Sequence, residues 1–161
     1  MTIKSTAEFF YGRKKGAFLN GNIRAREERT AYLEPTLTEP LNLDFGIPVI
    51  MTTEADKFHA TKPVVIKATA TSTKEEIVGF IKHIDRDASL FFKKGNPITI
   101  CLPAENDPFF GEIEAGETIV AGEEMDFVPA NNTYKKALGN GIVRAVENGA
   151  GGGIIGLVRI K

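Results

Sequence analysis

The chain has 161 residues, of which 42% are hydrophobic and 25% charged, a balance that suits a folded domain and excludes disorder throughout. Its net charge of −1, from 20 Lys and Arg against 21 Asp and Glu, argues against a dedicated nucleic-acid binder. A single cysteine, Cys101, excludes an internal disulfide and a Cys-based zinc site, and no apolar run approaches the roughly 20 residues that span a bilayer. Residues 1–4 show no apolar leader, so no secretory route is expected.

Residues 1–46 read as an extended arm. Their apolar residues follow no sustained period, and Gly12, Gly16, Gly21, Pro35, Pro40 and Gly46 interrupt them. Pro35 and Pro40 bias the residues before them, Glu34 and Glu39, toward extended backbone. Alone, such a segment cannot bury enough apolar surface to offset the entropy of ordering it. Its aromatics, among them Phe9, Phe10, Tyr11 and Phe18, favour docking onto something.

From residue 47 the pattern changes to short runs rich in Val, Ile and Thr. Strands are expected within 47–53, 64–69, 97–102, 118–120, 125–128, 141–146 and 154–160. Turn signals such as Gly95-Asn96-Pro97, Ala115-Gly116, Ala121-Gly122 and Asn148-Gly149 separate them. Many short strands with regular punctuation predict a β-barrel or sandwich over 47–161. The segment 72–84 reads two ways. Ile77, Phe80, Ile81 and Ile84 have helical spacing, and Thr73 with Glu76 could form a capping box. Gly79 in the middle costs a helix about 1 kcal/mol relative to Ala, which favours a turn over 71–76 followed by a strand.

Charge is unevenly placed. Residues 1–30 carry seven bases against three acids, whereas 105–126 carry eight acids and no base. This fits either two solvated faces or complementarity, between copies or with an assembled partner.

The search for chemistry finds little. Gly151 to Gly156 matches G-x-G-x-x-G, but residues 157–161 leave no room for the helix that a dinucleotide site needs. His59 and His83 have no second ligand at zinc spacing. Asp85-Arg86-Asp87 lacks the continuation of a calcium loop. Cys101 lies in an apolar strand, where a free thiol behaves as a small hydrophobe. No Gly-x-Ser-x-Gly elbow occurs. The sequon Asn131-Asn132-Thr133 means little without a secretory route. A biotinyl or lipoyl carrier would need a lysine on the hairpin at 114–125, which has none. A trimeric nucleotide hydrolase of the dUTPase type has this length and a Gly-rich tail, but its arginine-serine and aspartate-tyrosine motifs have no counterpart here.

The order of motifs along the chain resembles the structural cement, or head decoration, proteins of tailed bacteriophages. The resemblance is carried by Arg29-Thr30-Ala31-Tyr32-Leu33-Glu34-Pro35, then Phe45-Gly46-Ile47-Pro48-Val49 and Ile77-Val78-Gly79-Phe80-Ile81. It continues through Ile119-Val120-Ala121-Gly122-Glu123, Gly141-Ile142-Val143-Arg144-Ala145-Val146 and the closing Gly-rich strand. The acidic stretch at 105–126 and the Arg13–Lys15 cluster depart from the pattern.

This resemblance implies an all-β protein: an arm over 1–46 and a small β-barrel or β-tulip-like domain over 47–161. It implies a non-enzymatic virion protein, made in the host cytoplasm, that binds the outer capsid surface and cements adjacent major capsid proteins. No cofactor, metal, nucleic acid or membrane is implied. A homo-oligomer is expected, a trimer before a dimer. The expected contacts with capsid or neighbouring subunits are Phe9, Phe10, Tyr11, Arg13, Lys14, Lys15, Phe18, Arg24, Arg26 and Arg29, because aromatics and Arg concentrate interface energy. The alternatives are a trimeric nucleotide hydrolase-like enzyme and another virion part, from the tail or from head completion.

Overall fold

The computed structural model describes residues 12–19, 26–35, 37–39, 41–52, 63–85 and 92–161. The fold is mainly β, and no helix occurs among the described residues. Five strands, β1 (Arg26–Leu33), β2 (Pro48–Met51), β3 (Val64–Lys67), β4 (Ile77–Ile81) and β5 (Pro97–Pro103), close a barrel in the order β1-β3-β2-β4-β5. Within it only the β1–β3 pair is parallel.

A second, antiparallel sheet has the order β6-β12-β10-β8-β9, built from β6 (Phe109–Glu112), β8 (Glu124–Val128), β9 (Thr133–Lys136), β10 (Val143–Ala145) and β12 (Ile154–Arg159). It curls on itself, since Ile113, just after β6, forms a parallel bridge to Tyr134 of β9. A small ribbon pairs β7 (Thr118–Ile119) with β11 (Gly149–Ala150).

The strands follow from their apolar patterns. In β8, Met125 and Phe127 are buried between half-buried Glu124, Asp126 and Val128, the alternation of a strand with one face on the core. All seven runs expected to hold strands do so. The ambiguous segment 72–84 is a turn followed by β4. Of the two capping-box bonds, one forms, from the Thr73 N–H to Glu76 Oε1 (3.0 Å), while the Glu76 N–H donates to the Thr73 carbonyl (3.1 Å) rather than to its hydroxyl. They close a turn instead. The helix-like spacing arises because β4 is buried on both faces. Phe80 meets Phe109 of the second sheet with ring centroids 4.5 Å apart, while Ile81 packs among the barrel strands.

The stretch expected to be an arm is largely built into the body. β1 pairs with β5 over seven residues, from Arg26 opposite Pro103 to Tyr32 opposite Pro97, and its end lies beside β3. The barrel therefore begins well before residue 47. Among the described side chains of β1, Ala31 and Leu33 are the fully buried ones, so it shows no long apolar alternation; the backbone ladder holds it. Residues 16–19 add to the free edge of β6, through Gly16 N–H to the Phe110 carbonyl (2.9 Å), Phe110 N–H to the Ala17 carbonyl (3.0 Å) and Leu19 N–H to the Pro108 carbonyl (3.0 Å).

Barrel and second sheet share one hydrophobic core, and two glycines sit at their seam. Gly16 donates to Phe110 in the second sheet and accepts from the His83 N–H (3.0 Å) beside the barrel. Gly46 donates to the Ile81 carbonyl in the barrel (2.7 Å) and accepts from the buried Tyr134 hydroxyl (2.6 Å) in the second sheet. Burial raises the Tyr134 hydroxyl well above its usual pKa, which keeps it a donor. Both glycines have positive φ, +80° and +81°. A Cβ on Gly16 would lie 2.6 Å from the Ile81 carbonyl oxygen and 2.8 Å from the amide nitrogens of Gly46 and His83. A Cβ on Gly46 would lie 2.8 Å from Gly16 N and from the Phe110 carbonyl oxygen.

A polar staple makes a second tie. Lys67 Nζ on β3 donates to the carbonyls of Asn42 and Pro129 and to Asn132 Oδ1. Asn132, at φ +56° in the β8–β9 turn, donates from Nδ2 to Asn42 Oδ1 (3.0 Å).

These contacts predict unequal costs for equal substitutions. Gly116 has φ +86° and open space around it, so Gly116→Ala should cost only the backbone penalty of about 1–2 kcal/mol. Gly16→Ala and Gly46→Ala meet rigid backbone as well and should each cost more than about 3 kcal/mol in urea unfolding.

Candidate interaction surface

The contact residues expected from sequence divide into three groups. Phe9, Phe10, Tyr11 and Arg24 lie outside the described residues. Arg26 and Arg29 lie on β1, opposite Pro103 and Ile100 of β5. The others are placed by the seam.

Phe18 is 8% exposed and lies with its ring centroid 6.0 Å from that of Phe109, so it is spent inside the chain's own core rather than offered at a surface. The physical reason is its place on the added edge of β6, where its backbone bridges Phe109. Arg13 is partly spent as well. It forms an ion pair with Glu147, donates to the Ile154 carbonyl (3.0 Å) and lies 5.4 Å from the centroid of the Phe110 ring. Lys15 forms an ion pair with Asp44. Lys14 and Arg29 are exposed.

The acidic stretch is also used locally. Asp107 is 1% exposed. Glu114 accepts from Asn131 Nδ2 (2.8 Å) and from the Thr133 hydroxyl. The Val120 N–H (3.1 Å) and the Lys136 ammonium (3.0 Å) hold the Glu123 carboxylate below its usual pKa, the backbone bond contributing most. Glu124 Oε1 accepts from the Gly141 N–H (3.3 Å). Partial burial raises Asp126, against the opposing pull of Lys135. The pairing of β8 with β9 sets Asp126 opposite Lys135, so the sheet supplies bases that the linear stretch lacks. The run of acids is thus in large part a set of turn closures and cross-strand partners.

What remains near the root of the N-terminal segment is an apolar cavity with a charged rim. Its volume is about 220 Å³, and Phe45, Ile84, Phe92, Pro97 and Ile98 supply most of its wall. Thr30, Thr99 and Lys82 edge it, and the Lys82 ammonium pairs with Glu28 (2.9 Å). Small-molecule sites span roughly 300–1,000 Å³ and carry convergent polar groups. This cavity is smaller and mostly hydrocarbon, a size suited to one inserted side chain. Among the described residues no group of three or more His, Cys, Asp or Glu could hold a metal ion. Cys101 is buried.

His83 stands beside this cavity. Its ring meets Phe45 edge-on with centroids 5.1 Å apart, and Phe45 in turn packs on Phe92. Desolvation lowers the His83 pKa, assisted by Lys14, while Asp85 and Asp44 pull it upward. No signal in the sequence marked His83 as a seam residue, because the contact depends on Gly16 and Phe45 meeting it from distant parts of the chain.

Comparison with known proteins finds no matching family model and no matching curated protein.

The His83 shift gives a pH dependence with a definite sign. Its folded pKa lies below the unfolded value of 6.5, so the stability it contributes is fully present above 6.5. That contribution is lost as pH falls through the lower folded value. Urea midpoints should drop between neutral pH and about pH 5, and less steeply in His83→Gln. In NMR titration the His83 ring should titrate below 6.5.

Proposed function

We propose that the protein is a non-enzymatic cement protein of a tailed-phage head, which attaches to the outer capsid surface and ties neighbouring major capsid proteins together. Its copies act as an oligomer, a trimer in the first instance, at sites where several capsid subunits meet. The reading starts from the resemblance in motif order, and the mainly β, barrel-containing fold agrees with what that resemblance implies.

The observation that carries it is the anchored root of the N-terminal segment. Backbone bonds from Gly16, Ala17 and Leu19, and the contacts of Arg13 and Lys15, fix residues 13–19 to the body. Residues 1–11 therefore start from a rigid point, with Phe9, Phe10 and Tyr11 as their aromatic anchors. A fixed root lowers the ordering cost of binding through such a segment. Exposed Lys14 and Arg29, with Arg24 and Arg26 in the same basic stretch, add charge that steers encounter with an acidic surface. Repetition over a symmetric shell multiplies weak contacts.

The structure also determines how this is tested. Removing residues 1–30 would delete the added strand at 16–19 and five of the eight residues of β1, and so would damage the fold itself. Removing only residues 1–11 spares both. The truncated chain 12–161 should keep the full-length circular dichroism spectrum and melting temperature. In cosedimentation with expanded empty capsids of its phage, the full chain should pellet and the truncated chain should stay in the supernatant. Equal pelleting of both, or failure of the full chain to pellet, would count against the proposal.

A further inference from the structure

Strand β1 carries an edge that the barrel leaves largely open. Its pairing with β5 runs from Arg26 to Tyr32, whereas its pairing with β3 covers only Tyr32 and Leu33. The backbone bonds show which groups face that edge. The Tyr32 N–H turns away from β5 and donates to the Pro63 carbonyl (2.9 Å), while the Leu33 N–H donates to the Asn96 carbonyl, just before β5 (2.9 Å). Orientation alternates along a strand, so the N–H and C=O groups of Glu28 and Thr30 point the same way as those of Tyr32. Among the described residues no backbone group pairs with them. Glu28 is exposed and Thr30 half-buried. The apolar cavity of about 220 Å³ reaches the same strand, since Thr30 and its cross-strand neighbour Thr99 line it together with Phe45, Ile84 and Phe92.

We propose that the β1 edge at Glu28 and Thr30 is a docking site for an extended segment of a different protein, added as a further strand, with one large apolar side chain seated in the neighbouring cavity. An unpaired edge is a template for an added strand, in which backbone bonds supply affinity and a side-chain pocket supplies selectivity. A residue set opposite Thr30 projects its side chain to the face that Thr30 occupies. Thr30 is small, so a long side chain can lean over it into the cavity. The wall there is mostly hydrocarbon, which selects Leu, Met or Phe over a charged residue. Charge disfavours a second copy as the occupant. Two β1 edges paired about a two-fold axis set one residue opposite itself. Over Arg26-Glu27-Glu28-Arg29 that residue is always charged, so each register puts like charges face to face. Centring the pair on Thr30 would need the outward side of Tyr32, which already bonds Pro63. The proposal goes beyond the shell-binding reading and uses neither residues 1–19 nor a capsid, so either can fail without the other.

The test is amide NMR of the full chain. In the free protein the Glu28 and Thr30 amides should exchange rapidly, while those of Arg29 and Ala31, which face β5, stay protected. The probe is the blocked peptide acetyl-Thr-Thr-Phe-Thr-Thr-amide. It should move the Glu28 and Thr30 amides along a saturating curve. The same peptide with Ala at its centre should bind about tenfold more weakly or worse, as the loss of a buried ring implies. N-methylation of the Phe amide, which removes the donor facing Thr30, should abolish binding. These peptide controls need no variant to fold. In Thr99→Phe, which fills the cavity from its own wall, the Phe and Ala peptides should bind alike while the melting temperature holds. Protection of the Glu28 and Thr30 amides in the free chain would show the edge already covered. Movement of the same amides on dilution of the protein alone would assign the edge to a second copy. Equal binding of the Phe peptide and its N-methylated form would reduce the contact to a surface one. Each of these results, or a linear response to the Phe peptide, would overturn the proposal.

Discussion

The fold depends on a crossing of two backbone segments at Gly16 and Gly46. Each glycine makes one hydrogen bond with the barrel side and one with the second sheet: Gly16 accepts from the His83 N–H and donates to the Phe110 carbonyl, and Gly46 donates to the Ile81 carbonyl and accepts from the Tyr134 hydroxyl. A side chain on either would press into backbone at under 3 Å, and both hold a φ that disfavours any side chain. The approach matters because the two sheets share one core. Phe80 can reach Phe109 only if the barrel wall and the β6 edge stand this close. The Asn42–Lys67–Asn132 staple links the same two bodies at another point, so the seam is fixed at two places.

This seam also allots the charges. The basic cluster at 13–15 looks in the linear sequence like a free cationic patch. In the fold, Arg13 is held by Glu147 and Ile154, and Lys15 by Asp44, so two of its three charges brace the segment that crosses the seam. Within the acidic stretch, Glu114, Glu123 and Glu124 are drawn into turns, and Asp126 and Glu123 are set against Lys135 and Lys136. Exposed ion pairs contribute little stability individually. Their effect here is to orient segments that backbone bonds already hold. For the proposed function the consequence is mechanical: the N-terminal segment leaves a braced point, so load on it passes to both sheets together.

Much of the architecture was legible in the sequence. The β class and seven strand-bearing runs followed from short β-branched segments and turn residues. The strands that escaped notice did so for physical reasons. β1 reads Arg-Glu-Glu-Arg-Thr-Ala-Tyr-Leu, and only its last residues bury apolar surface; its order comes from pairing with β5, about 70 positions away. β6 sits within the acidic stretch, and its burial depends on Phe18 and Phe80 arriving from elsewhere. The ambiguity at 72–84 was real, because a strand buried on both faces carries apolar residues at helical spacing. Of the expected contact residues, Phe18 was misread because aromatic content alone does not distinguish a surface anchor from a core side chain.

Native-state hydrogen exchange tests most directly whether the seam binds the two sheets into one unit. The amides of Gly16, Gly46 and His83 report the crossing, Ile81 the barrel and Ile142 the second sheet, each through a backbone bond of 2.7–3.0 Å. If the crossing is the constraint described, all five exchange only through global unfolding, with one common free energy and one common denaturant dependence. Exchange of Gly16, Gly46 and His83 by a lower-energy local opening, with Ile81 and Ile142 still fully protected, would contradict it.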